Sequence, residues 1–90
     1  MSKWTIMTEF QGGTYIVQVD AGTGYEAMAK SVEQLCEFEP NIFPDRKLSK
    51  DETDPDVLVA ISGTQNVWNY IEINRNGDTV FVNIVKTDIL

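Results

Sequence analysis

Asn74-Arg75-Asn76-Gly77 lies between two runs rich in β-branched and aromatic residues, 67–73 and 79–85. Asn-Gly between such runs is the strongest short-range signal for a β-hairpin. The register of that hairpin decides which side chains share a face, because a slip of one residue moves every side chain to the other side. A two-residue Asn76-Gly77 loop would pair Arg75 with Asp78. A four-residue type I turn with a glycine bulge would pair Asn74 with Asp78, and it suits Asn at its first position and Gly at its last. The second register puts Trp68, Tyr70, Val80, Val82 and Ile84 on one face, which is predicted to be the core. The other face then carries Ile71, Ile73 and Phe81 and needs a cover, for which there are two candidates: residues 38–48 folded over it, or a partner.

The start of the chain carries the same kind of signal. Trp4, Ile6, Thr8 and Phe10 alternate with more polar neighbours, Gly12-Gly13 permits a tight turn, and residues 14–20 form the return strand. With a Gly12-Gly13 loop, Phe10 pairs with Tyr15, Thr8 with Val17 and Ile6 with Val19. A helix follows. Thr23 and Glu26 have the spacing of a capping box, in which hydroxyl and carboxylate each satisfy a free N–H of the first turn. Tyr25, Met28, Ala29, Val32, Leu35 and Cys36 form an apolar stripe at helical spacing, and Pro40 ends it. Glu26 and Lys30 stand at i,i+4 on the other side, where opposite charges attract.

Residues 38–56 are harder to read. They hold all three prolines, a basic cluster (Arg46, Lys47, Lys50) and an acidic run (Asp51, Glu52, Asp54, Asp56). They also hold Phe38, Ile42, Phe43 and Leu48, so the segment is more than a linker. A short helical turn is possible after Pro44. The continuous apolar run 57–61 reads as a strand buried on both faces and hence central. The expected fold class is α+β: ββαβββ, one mostly antiparallel sheet with a single helix packed on one face, as one domain over residues 1–90.

Composition narrows the function classes. Fourteen acids against seven bases give a net charge of -7. That balance disfavours phosphate backbones and anionic membranes and favours cationic partners or plain solubility. There is no histidine and only one cysteine, Cys36. The commonest general base and cysteine-rich zinc sites are therefore missing. Cys36 lies on the helical apolar stripe and is expected in the core. No apolar stretch is long enough for a signal peptide or membrane span, so a cytoplasmic location is expected.

Two stretches carry residue types suited to chemistry. Gly22-Thr23-Gly24-Tyr25-Glu26-Ala27 matches GxGxxA, yet that fingerprint has meaning only in a parallel βαβ unit. A permissive turn followed by a threonine cap accounts for it with less. Asp51, Glu52, Asp54 and Asp56 could offer oxygen ligands, but their spacing is not that of an EF-hand loop. No metal, cofactor or enzymatic activity is expected. The reading is a small acidic protein-binding or regulatory module that contacts a protein partner or itself. Its expected contact residues are Ile71, Ile73 and Phe81, with Phe43, Asp51, Glu52 and Asp54 at the edge of that face. Alternatives are an acidic surface docking on a basic or nucleic-acid-binding protein, and a small ligand or nucleotide held at residues 22–27.

Overall fold

The computed structural model describes residues 1–87. It is an α+β fold, with a five-stranded antiparallel sheet and one helix on one face. In chain order the elements are β1 (Ser2–Phe10), β2 (Gly13–Ala21), α1 (Gly24–Phe38), β3 (Val59–Ala60), β4 (Val67–Ile73) and β5 (Thr79–Lys86). The sheet order is β2-β1-β5-β4-β3. The two hairpins are thus joined through β1 and β5, with Ile6 opposite Ile84 and Thr8 opposite Val82. Among the described residues no helix is long and apolar enough to cross a membrane.

The second hairpin adopts the four-residue turn. The Asn74 N–H donates to the Asp78 carbonyl at 2.8 Å and the Gly77 N–H to the Asn74 carbonyl at 2.9 Å. Gly77 sits at φ +86°, a conformation glycine adopts without steric cost. Tyr70 faces Val82 and Trp68 faces Ile84, as the bulged register requires. Tyr70, Val80, Val82 and Ile84 are buried, and Trp68 packs its ring 5.7 Å from that of Trp4.

In the first hairpin the faces are as expected but the pairing is two residues off. The turn is Gln11-Gly12 rather than Gly12-Gly13, with both residues at positive φ. Phe10 therefore pairs with Gly13, Thr8 with Tyr15, Ile6 with Val17 and Trp4 with Val19. Moving the loop back by one residue shifts the partner of each β1 residue by two. The side-chain alternation, and so the core face, is preserved.

Helix α1 is capped as its sequence indicates. The Glu26 N–H donates to the Thr23 hydroxyl at 3.1 Å, and the Glu26 carboxylate reaches back to the Gly22 N–H at 3.2 Å. Met28, Val32, Leu35 and Cys36 are buried against the sheet. Lys30 pairs with Glu26 at 3.5 Å on the exposed side. Ala29 belongs to the solvent-facing part of the helix rather than to the buried stripe.

A helix is roughly 10 Å across, and five strands spaced about 4.8 Å apart make a wider surface. The packing of α1 is concentrated on β2, with less on β1 and β5 and none on β4. The segment between α1 and β3 fills the remainder on the same side. Ile42, Phe43, Leu48 and Val57 are buried in the one core cluster with Tyr70 and Val82. Fully burying side chains of this kind yields roughly 1.5–3 kcal/mol each. The segment holds turns rather than a regular helix, and the Arg46 N–H closes a single turn on the Phe43 carbonyl at 2.9 Å.

The run 57–61 is not a central strand. Only Val59–Ala60 pairs with β4, at the sheet edge, and both residues are exposed. With β5 inserted beside β1, the centre is taken. The run is apolar because its residues go different ways. Val57 turns into the core and bonds to the Asp54 carbonyl, Leu58 packs on the core cluster, and Val59 remains exposed.

Candidate protein-binding face

Among the described residues nothing covers the sheet face opposite α1. Of the two candidate covers, residues 38–48 are ruled out: Ile42, Phe43 and Leu48 pack with the helix on the other side. Those residues bury their apolar side chains there, in the cluster that holds Tyr70 and Val80.

On the bare face, Ile71 stands directly opposite Phe81, and Ile73 opposite Thr79. Phe81 in turn faces Glu9 of β1. One row further along, the register connects Ile16, Met7, Asn83, Asn69 and Val59 across all five strands. Ile73 is 68% exposed, Ile16 64%, Val59 47%, Phe81 43% and Ile71 42%. An antiparallel sheet usually presents polar residues to water on its outer face. Here, of the charged strand residues, only Lys3, Glu9 and Asp20 project outward, and Lys3 and Asp20 pair with each other at 3.4 Å. A chain with 21 charged residues, fourteen acidic and seven basic, has thus kept most of its charge off one broad surface. Apolar character with depletion of charge is the composition of an interface core.

The structure brings Ile71, Ile73 and Phe81 together, as expected, and separates them from the other sequence-derived candidates. Phe43 is buried on the helix side and contributes nothing to this face. Asp51 and Glu52 are exposed beside Tyr25 of α1; partial burial, and after it their negative charge, raises the Tyr25 hydroxyl pKa. The acidic run makes its own turns. Asp51 Oδ1 accepts from the Thr53 hydroxyl and the Thr53 N–H, and Asp54 Oδ1 accepts from the Asp56 N–H. Donation from Thr53 holds the Asp51 carboxyl below its ordinary pKa. The residues missed on the open face were Ile16, which alternation assigns to an outer face without saying that it is bare, and Val59, which lies in the continuous run 57–61 and so reads as buried.

A buried polar network lies on the opposite, helix side. The Tyr70 hydroxyl donates to the Glu72 carboxylate, which also accepts the Ser49 N–H at 2.9 Å. The Lys50 N–H reaches the Tyr70 oxygen at 3.4 Å, and the Lys50 ammonium lies 5.6 Å from the centre of the Tyr70 ring. Burial, reinforced by the Glu72 carboxylate, pushes the Tyr70 pKa up to about 12. Tyr70 is therefore a firm hydrogen-bond donor, and the network clamps residues 49–50 to β4. Beside it, Tyr25, Val32 and residues 46–51 line an open groove of about 480 Å³. Glu33 and Asp51 interleave with Arg46, Lys47 and Lys50 there, so no continuous basic stripe exists to follow a nucleic-acid backbone.

The GxGxxA stretch has a packing explanation. The sheet is antiparallel throughout, so no parallel βαβ unit surrounds the motif. A Cβ on Gly24 would lie 3.2 Å from Leu58 Cδ1 and 3.4 Å from Trp4 Cζ3, so glycine lets the start of the helix approach those side chains. No protein-family model matches the chain, and neither a curated protein nor a solved structure does.

Proposed function

We propose that the chain acts as a binding module for another protein, with the bare sheet face around Ile71, Ile73 and Phe81 as its contact surface. The observation that carries this reading is the combination of apolar exposure and missing charge on that face. A sheet face with bulky exposed side chains near the β4–β5 turn offers apolar contact area, and a surface of this kind marks an interaction site on a small protein. The acidic groups of the helix side would contribute long-range orientation toward a basic partner, which affects association rate more than affinity.

The test is capture from the native host with the wild-type chain and the Ile73→Glu and Phe81→Asp variants as parallel baits, followed by titration of each retained protein. A partner that binds the wild type, loses at least tenfold in affinity to either variant, and tolerates added salt supports the face. A partner that binds all three baits equally, or one released by moderate salt from all three, overturns it and moves the contact to the acidic side.

A further inference from the structure

We infer that two copies of this chain pair edge to edge through β2, forming a continuous ten-stranded antiparallel sheet. β2 is an edge strand of nine residues, and among the described residues no strand pairs with its outer side. The two-residue Gln11-Gly12 turn makes Phe10–Gly13 a hydrogen-bonded pair, and the alternation then points the odd-numbered residues of β2 at β1. The N–H and C=O groups of Thr14, Ile16, Gln18 and Asp20 consequently point away from the sheet. The Lys30 ammonium, 2.6 Å from the Asp20 carbonyl oxygen, marks that outward direction.

Natural sheets protect such edges with proline, lysine, bulges or short strands. β2 has none of these within its span, and its sequence is rich in strand-forming residues. The edge is instead flanked by apolar groups on both sides. Ile16 is exposed on the bare face, and on the helix side Phe38, 60% exposed, lies with its ring 6.3 Å from that of Tyr15.

The strand is self-complementary about a twofold axis at Val17. That register pairs Ile16 with the partner's Gln18 and Thr14 with the partner's Asp20. It is the one that uses all four outward residues on each chain, and it sets no like charges opposite each other. Asp20 is the only charge on β2 and is already neutralised by Lys3. Lys30 overlooks this edge through its bond to the Asp20 carbonyl and Phe38 through its contact with Tyr15, and the acid on the same helical stripe, Glu26, is paired with Lys30 at 3.5 Å. Because each chain carries -7 overall, the pairing is opposed by long-range repulsion and strengthens as salt is added.

Sedimentation equilibrium across micromolar to millimolar concentration tests this, with Gln18→Pro as the deciding variant. The Gln18 N–H points outward, so proline there removes a donor to the second copy and none to β1. A wild-type dimer that tightens with salt, and is weakened at least tenfold by Gln18→Pro with unchanged circular dichroism and thermal midpoint, supports the edge. Should the proline lower the midpoint, Ile16→Lys, which alters no backbone group, provides the same reading. A wild-type chain that stays monomeric throughout overturns the inference, as does a dimer that survives both variants or is broken only by Ile73→Glu.

Discussion

The Asn74 side-chain amide donates to the Ile42 carbonyl oxygen at 3.1 Å, tying the β4–β5 turn to the middle of the long segment after the helix. The same amide reaches the Asn41 carbonyl at 3.2 Å. Its oxygen meanwhile accepts from the N–H groups of Asn76 at 3.0 Å and Asp78 at 3.1 Å. One buried asparagine thus shapes the turn with its acceptor and anchors a distant loop with its donors.

Asn74→Asp separates those two roles. The carboxylate still accepts from the turn but faces two carbonyl oxygens without a proton to offer. Leaving buried acceptors unmatched costs about 1–3 kcal/mol. Urea denaturation should show that loss, and hydrogen exchange should rise at residues 41–43 before it rises in β5. Unchanged stability would show that the loop is held by packing alone.

Alkaline pH should weaken the fold through Tyr70. Its pKa is about 12 in the folded chain against an ordinary 10.0. Below pH 10 both states keep the proton and the contribution is complete. Between the two values the unfolded chain ionises and the folded chain does not, so stability falls as pH rises. The slope is at most about 1.4 kcal/mol per pH unit, and less where water screens the Ser49 side of the network. Comparing denaturation midpoints of the wild type and Tyr70→Phe at neutral pH and at about pH 11 checks this, because the variant should lose part of the slope.

Gly24→Ala should be destabilising although alanine is the better helix former by about 1 kcal/mol. The new methyl group meets Leu58 and Trp4, and the Trp4 ring is fixed by its Nε1 donating to the Ala21 carbonyl at 3.1 Å. Overpacking of this kind costs roughly 1–3 kcal/mol. In a Leu58→Ala background the same substitution should become neutral or favourable, and thermal denaturation of the four variants measures the coupling.

Ile73→Glu and Ile71→Thr should leave the fold within about 0.5 kcal/mol of the wild type. Both side chains are exposed, and their cross-strand partners Phe81 and Thr79 lie on the same outer face. A large loss of stability in either would mean that the bare face supports the fold rather than a partner.

The sequence was most legible where the determinants are local. The Thr23–Glu26 cap, the helical stripe apart from Ala29, and the Asn74–Gly77 turn rest on interactions within four residues and formed as their spacing indicated. The Gln11-Gly12 turn was misplaced by one residue because Gln11 takes the left-handed conformation that Gly13 was expected to share. Phe43 was misassigned for a different reason. An apolar residue in a proline-rich segment shows that it will be buried, not on which side of the sheet.

By itself the sequence determined the elements, the alternation of each strand and the face that Trp68 and Tyr70 share, because side-chain period and turn chemistry are properties of neighbouring residues. Only the tertiary structure decided that β5 sits beside β1, that residues 57–61 belong to an edge, and that the long segment joins the helix instead of opposing it. Those outcomes depend on how much surface one helix can cover. The half of the sheet it leaves open on its own side takes the remaining apolar residues, and the other face is left bare.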